Sequence, residues 1–475
     1  MPENLNFDDI KYLTIENLDD FGELFELEGR LYRGINPGNE HFALELFNSG
    51  FIPELVEKNL FVNSKPIEKK LGKYNLIIEH EEIEPVIYPH EFTFTMLKDA
   101  ALLILNIAKI CEKRGFSMKD CHAWNSLFYK NKPLYVDLGS FLIKKENESF
   151  SFPAQDFLES YYFPLLMWKD GLEYSIKYSL LYNSRYPAIE FYLYKYKILR
   201  LISGQFLIKM LKVKNMLHSI YYMDKQEFED KLTHKGKFLL NAGKMARWLI
   251  LNSGIFRLNF DKLIYAITKL DKPKMITDWE NYYGEEAEVT NRFRKILNYT
   301  KTVCKDAATA ISFGSNQGFF ENLLLEQTQI GRVICQDLDS KALDIGYNKY
   351  GKNRADGKDI YFVNYDACLP IQHPYMKLHY ERFKSDIVYA LAVTHHLMLR
   401  GGFRLGYIFN EFSKYCNKYI LIEFMPLGLW TPGANVSVPS WFTVEYFRKE
   451  FKKYFEFILE EELEENRIIF IGRKK

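Results

Sequence analysis

Two glycines four residues apart, Gly314 and Gly318, close the run Ala307-Ala308-Thr309-Ala310-Ile311-Ser312-Phe313-Gly314-Ser315-Asn316-Gln317-Gly318, which is followed by Phe319 to Glu326. The pattern reads as strand, tight loop, helix. Glycine permits positive φ and removes the Cβ, so the main chain around Gly314, Ser315, Asn316 and Gly318 can approach a ligand closely. The next apolar run, Gly331 to Gln336, ends at Asp337, 19 residues after Gly318. A carboxylate about 20 residues past a glycine loop is placed to accept hydrogen bonds from ribose hydroxyls. A dinucleotide fingerprint would be Gly-x-Gly-x-x-Gly, and counted from Gly314 its second and third places hold Asn316 and Phe319.

A diphosphate needs several close backbone approaches, whereas S-adenosylmethionine carries one ribose and a zwitterionic tail and tolerates a sparser loop. The expected cofactor is therefore S-adenosylmethionine. Three further strand ends follow in order. Ile360 to Val363 leads to Asp366, Ser385 to Ala390 leads to Thr394-His395-His396, and Tyr419 to Ile422 leads to Glu423. In an open parallel sheet ligands bind beyond the carboxyl ends of the strands, so Asp337, Asp366, His395 and Glu423 should gather at one crevice. Methyl transfer needs an aligned nucleophile and often a base for its proton. His395 or His396 could be that base, with Glu423 orienting it or substituting for it. Thr443 to Lys453 reads as a helix, and Phe455 to Leu459 and Arg467 to Ile471 as a closing antiparallel hairpin around an acidic turn.

On these residues the chain resembles the class I S-adenosylmethionine-dependent methyltransferases, and more narrowly a bacterial group related to a host-specific nodulation protein and found among surface-glycan genes. The resemblance spans nearly the whole chain. It rests on Trp279-Glu280-Asn281-Tyr282, Phe313 to Gly318, Leu391 to Leu397, Ile422-Glu423-Phe424 and Ser440 to Ile471. It implies a Rossmann-like seven-stranded sheet, Gly314 and Gly318 under the cofactor, Asp337 on its ribose and Asp366 near its adenine. It also implies, as acceptor, a hydroxyl of a glycan or glycolipid precursor. Trp279, Tyr282 and Tyr283 could cover the cofactor as an aromatic lid. One departure is visible: where the family's first strand ends in an acid, this chain has Ser312.

A second constellation lies upstream. A helix from Phe94 to Arg114 precedes Asp120-Cys121-His122-Ala123-Trp124-Asn125, and the strand Pro133 to Val136 leads to Asp137-Leu138-Gly139. Asp120 and Asn125 are five apart and Asp137 opens an Asp-x-Gly turn, a spacing similar to the catalytic loop and magnesium-binding aspartate of protein kinases. Asn125 and Asp137 could hold magnesium and, with it, ATP. No glycine-rich phosphate loop occurs in residues 1 to 119, and Lys73 and Arg33 are the remaining candidates for a phosphate-gripping cation. The reading is a reduced kinase-like α+β module acting as substrate platform or scaffold. The alternatives are a bifunctional kinase-methyltransferase, or a binding protein in which both halves are remnants.

The elements that must position these residues divide 475 residues into three parts: a kinase-like region at 1–155, a helical connector at 156–270 and an α/β methyltransferase-like domain at 271–475. With 63 Lys/Arg against 62 Asp/Glu there is no global basic field, which argues against long nucleic acid as a partner. Six scattered cysteines without a CxxC pair predict reduced thiols and a cytoplasmic setting, and Met1 to Arg30, with nine acidic and two basic residues, does not read as a secretory signal. No apolar run predicts a membrane span. The segment Phe191 to Met223 has lysines and an arginine but no acid; it fits snorkelling lysines over a core, with contact to an anionic membrane surface as the alternative.

Overall fold

A computed structural model of the protein describes residues 10–13, 19–67, 70–144, 152–183, 259–273, 277, 279–280, 288–352, 354–371, 376–430 and 437–475. The helices expected over 188–211, 225–232 and 239–251, and the basic segment 191–223, lie outside the described residues.

The N-terminal half is built on a five-stranded antiparallel sheet of β1 (Lys11–Tyr12), β2 (Gly22–Leu27), β3 (Arg30–Ile35), β4 (Ser64–Ile67) and β5 (Ile77–His80), in the order β1-β2-β3-β5-β4. One face carries a small cluster of Phe25, Leu27, Tyr32, Leu71, Tyr74 and Ile77. The helix Phe94–Arg114 forms as predicted. Thr93 caps it by accepting the Met96 N–H, and Gly115, at φ +75°, ends it. Short antiparallel pairs follow, β6 (Phe116–Met118) with β9 (Phe141–Ile143) and, between them in the chain, the hairpin of β7 (Ser126–Tyr129) with β8 (Lys132–Tyr135). The helical run after residue 154 is interrupted by one wide turn at Leu158–Tyr162.

The C-terminal half is a seven-stranded sheet: β10 (Thr309–Phe313), β11 (Arg332–Asp337), β12 (Asp359–Asn364), β13 (Ser385–Ala390), β14 (Cys416–Phe424), β15 (Phe455–Glu464) and β16 (Arg467–Lys474). Their order is β12-β11-β10-β13-β14-β16-β15; the first five run parallel, and β16 pairs antiparallel with both β14 and β15. The parallel strands are near-continuous apolar runs because helices cover both faces. The chain order reverses at β10, between β11 and β13, which opens a crevice beyond the strands' carboxyl ends.

The closing hairpin is longer than expected. Glu460, Glu461 and Glu462 are strand residues, because each acid on this edge strand finds solvent or a cation: Arg448 holds Glu460 at 2.7 and 2.8 Å and Lys295 holds Glu461 at 2.6 Å. The turn is reduced to Glu465 and Asn466, the latter at φ +60°.

Both halves contribute to one continuous core. Polar clamps join them: Glu91 to Arg382 at 2.5 and 2.8 Å, Thr95 N and Oγ1 to Asp344 at 2.7 and 2.8 Å, and Tyr347 Oη to Asp99 at 3.0 Å. Among the described residues no helix is long and apolar enough to cross a membrane.

Candidate functional site

At the reversal point lies a cavity of about 570 Å³, lined by the glycine loop, the ends of β11 and β12, and the segment after β13. The loop leaves β10 at Gly314 (φ +68°), passes Asn316 (φ +54°) and enters the helix Phe319–Gln327 at Gly318 (φ +75°). Three left-handed residues within five fold the main chain into a cradle, a conformation glycine adopts at no steric cost. A Cβ on Gly314 would lie 2.9 Å from Val393 Cγ2. Gly314, Ser315 and Asn316 line the cavity. Gly318 does not line it. Its missing Cβ makes room for Phe362 Cε1, 2.9 Å away, so its part is to support the loop from behind.

Main-chain bonds tie the cradle to β11. Ser315 N–H donates to Gln336 O at 3.0 Å and Asn316 N–H to Asp337 Oδ2 at 2.7 Å, while Asp339 N–H donates to Asp337 Oδ1 at 2.9 Å. Burial pushes the Asp337 carboxyl up to about 6, against the pull of these amides. Asp366 lies on the cavity wall beyond β12, with Oδ1 accepting the N–H of Cys368 (2.8 Å) and Leu369 (2.9 Å). Trp279 and Glu280 are strapped over the loop: Asn316 Nδ2 donates to Trp279 O at 3.1 Å and Gln317 Nε2 to Glu280 O at 2.6 Å. The Trp279 ring meets His396 edge-on, 5.1 Å between centroids. Tyr282 and Tyr283 lie outside the described residues.

His395 and His396 both line the cavity, their ring centroids 4.1 Å apart. His395 is 4% exposed and its Nδ1 has no hydrogen-bond partner. Burial, then His396, Arg467 and Arg400, lower its pKa to about 3, so the imidazole is neutral at physiological pH. Burial and Arg400 also lower that of His396.

The expectation for Glu423 is corrected. Its fully buried carboxylate is gripped by Arg292, Nε to Oε1 at 2.5 Å and Nη2 to Oε2 at 2.8 Å, and by Arg467 at 3.2 Å. Glu423 does not line the cavity and so neither orients His395 nor stands in for it. It anchors the two guanidiniums that do line it, and its carbonyl fixes Thr394 Oγ1 at 2.7 Å, one residue before His395. Spacing along the chain did not reveal Arg292, Glu321, Arg400 or Arg467; the cavity collects them from separate elements.

The three kinase-like positions also meet. Asn125 Nδ2 donates to Asp120 Oδ1 at 2.7 Å and lies 3.5 Å from Asp137 Oδ2, and Ser140 Oγ bonds Asp137 Oδ2 and, at 3.3 Å, Asp120 Oδ1. The other Asp137 oxygen accepts Gly139 N–H at 3.1 Å and faces Arg33 Nη2 at 3.6 Å, while Arg33 Nη1 holds Asp19 at 2.5 Å. Lys73 is turned to Glu23 at 2.9 Å.

No family model matches the chain. Over 426 residues it is 23% identical to the nodulation protein NoeA of Rhizobium meliloti (strain 1021), a match taking in 86% of this chain and 83% of that protein. Among solved structures, magnesium protoporphyrin IX methyltransferase (ChlM) from Synechocystis PCC 6803 with bound SAH covers 42% of this chain and 93% of its own, at 14% identity and a TM-score of 0.31. The N-methyltransferase NodS from Bradyrhizobium japonicum WM9, in complex with S-adenosyl-L-homocysteine, covers the same shares at 11% identity and a TM-score of 0.31.

Proposed function

We propose that the C-terminal half is an S-adenosylmethionine-dependent methyltransferase whose acceptor is a hydroxyl of a cell-surface glycan or glycolipid precursor. The observation that carries the reading is the meeting, in one cavity at the sheet's reversal point, of the Gly314 cradle, the Asp337 carboxylate and the neutral imidazole of His395. The residues present fit the cofactor. Gly314 is exposed at the cavity wall beside Ser315 and Asn316, both Asp337 oxygens retain a lone pair beyond the amide each accepts, and a buried carboxylate oxygen of Glu321 is unpartnered. When bound, S-adenosylmethionine supplies a methyl group activated on a sulfonium.

Asp337 then accepts from the ribose hydroxyls, Asp366 faces the adenine end, and Trp279 covers the site. On the opposite side of β10, His395 takes the acceptor hydroxyl's proton and His396 shapes the approach. The glycan acceptor rests on the family resemblance carried by the sequence motifs. Six free, buried cysteines favour a cytoplasmic setting.

For the N-terminal cluster, we favour a substrate platform or scaffold over a working kinase. Asp137 already has both oxygens engaged, with Arg33 in the place a metal cation would take. A melting temperature unmoved by magnesium-ATP is the expected result; a rise that disappears in Asp137→Ala would reinstate the kinase.

Titration calorimetry with S-adenosylmethionine tests the cofactor, and absence of binding by the folded protein would end the methyltransferase reading. Mass spectrometry of glycan and lipid extracts, with and without the protein, tests the acceptor through a gain of about 14 Da, the net CH₂ left when a methyl group replaces the hydroxyl hydrogen.

A further inference from the structure

Glu321 is an acid to which the proposed function assigns no group of the cofactor. It lies in the first turn of the helix Phe319–Gln327, is 2% exposed, and forms part of the cavity wall. Its Oε2 has no hydrogen-bond partner. A buried carboxyl with an open oxygen is costly unless something in the cavity donates to it.

The groups facing it come from every neighbouring element: Ser312 on β10, Cys335 and Asp337 on β11, Tyr389 on β13, and Arg292 on the helix Asn291–Thr302. Arg292 is the one cation among them, and its guanidinium is bound bidentately to Glu423. Burial accordingly raises the Glu321 pKa to about 7, Asp337 adding to the rise and Ser312, the residue's own amide and Arg292 opposing it. Position decides which ligand group it meets. Glu321 lines the cavity together with Ser312, Gly314, Asn316 and Asp337, the loop and strand end read as holding the cofactor.

We propose that Glu321 receives the α-ammonium group of the cofactor's amino-acid tail, supplying from the helix the acid that Ser312 does not supply from the strand end. The proposal rests on the S-adenosylmethionine reading. An ammonium against the carboxylate favours its ionised form, so binding drives a proton from Glu321 into solvent near neutral pH.

The test is calorimetry at pH 7 in buffers of different ionisation enthalpy, with two probes: S-adenosylhomocysteine, and 5′-methylthioadenosine, which lacks the amino-acid tail. With the wild-type protein, S-adenosylhomocysteine should release about half a proton more than methylthioadenosine, the fraction an acid titrating near 7 still holds. Glu321→Gln should abolish that difference and weaken S-adenosylhomocysteine about 10- to 100-fold, the worth of a hydrogen bond to a charged group, while methylthioadenosine binds both forms alike. Equal proton release by the two probes, or equal weakening of both by the substitution, would overturn the assignment while leaving the cofactor reading intact. Failure of both probes to bind wild type would remove the cofactor reading and the assignment with it. The probe comparison needs no variant, so a poorly folding Glu321→Gln would not shield the proposal.

Discussion

The main-chain N–H of Asn316 donates to Asp337 Oδ2 across 2.7 Å, so the carboxylate read as the ribose acceptor is also the tie that holds the glycine cradle closed. The two features that the sequence sets 21 residues apart therefore act as one unit.

Replacing Asp337 should thus cost more than one ligand contact. Asp337→Asn presents an amide to the Asn316 N–H or to the ribose, and S-adenosylhomocysteine affinity should fall at least about 10-fold, the scale of a lost bond to a charged group. The pH dependence has a definite sign. With a native pKa of about 6, the acceptor form is lost as pH falls through 6, so wild-type affinity should drop there more steeply than that of Asp337→Asn. Stability moves oppositely: the unliganded protein holds a proton that the unfolded chain has shed, so this group's contribution is full below its ordinary value near 4 and is lost as pH rises through 6. Calorimetry and melting curves between pH 5 and 8 read the two trends separately.

How much of this was legible before the structure follows from what each signal is made of. The loop and Asp337 were readable because strand, glycine turn, helix and next strand end are local features with fixed spacing. Glu423 was misread because its meaning lies in Arg292 and Arg467, 131 and 44 residues away, and proximity of that kind leaves no trace in spacing. Glu321 was hidden for the same reason: in sequence it is one acid in a helix, and only packing against Ser312 shows which way it faces. The acids at 460–462 suggested a turn, and edge position with Arg448 and Lys295 nearby made them strand.

His395 makes a sharper prediction than a generic catalytic histidine. Its pKa of about 3 means that it is already deprotonated across the working range, so the rate should show no inflection near 6.5 attributable to it. His395→Ala should reduce methyl transfer to a glycan or lipid extract by about 10²-fold, the low end for a general base because its pKa lies below the working range, with S-adenosylhomocysteine affinity unchanged. Labelled-methyl incorporation between pH 5.5 and 8.5 checks both statements; an inflection near 6.5 that vanishes in the variant would contradict the neutral assignment.

Gly346 supports the cradle from outside the cavity. A Cβ there would fall 2.2 Å from Gln317 O and 2.5 Å from Phe362 Cε1, and backbone cannot yield as a side-chain tip can. Gly346→Ala should therefore destabilise by about 1–3 kcal/mol, as overpacking does, and also weaken S-adenosylhomocysteine by displacing the loop. Gly331→Ala is the control: its Cβ would meet nothing nearer than 3.9 Å, and urea unfolding should shift by no more than about 0.5 kcal/mol.

The last prediction concerns the joint between the halves. Glu91, fully buried, receives Arg382 on both oxygens and Tyr88 N–H at 2.8 Å, and His379 Nε2 lies 2.9 Å from its Oε1. His90, Glu91 and His379 lie close enough together to suggest a metal ligand set, but Arg382 already occupies both carboxylate oxygens, so the arrangement is an ion-pair clamp. Arg382→Met should then cost about 3–5 kcal/mol in urea unfolding, because the penalty is the buried carboxylate left behind. Adding Glu91→Leu should recover much of the loss, since no buried charge remains, and a double variant as unstable as the single one would refute this account. Acid should act in the same direction. Glu91 is held well below the usual carboxylate range, so its contribution is lost as pH falls through that low value, whereas His90, lowered to about 4 by burial, makes unfolding favourable from about 6.5 downward as the freed imidazole takes a proton. The fall of wild-type stability between pH 6.5 and 4 should accordingly be shallower in His90→Phe.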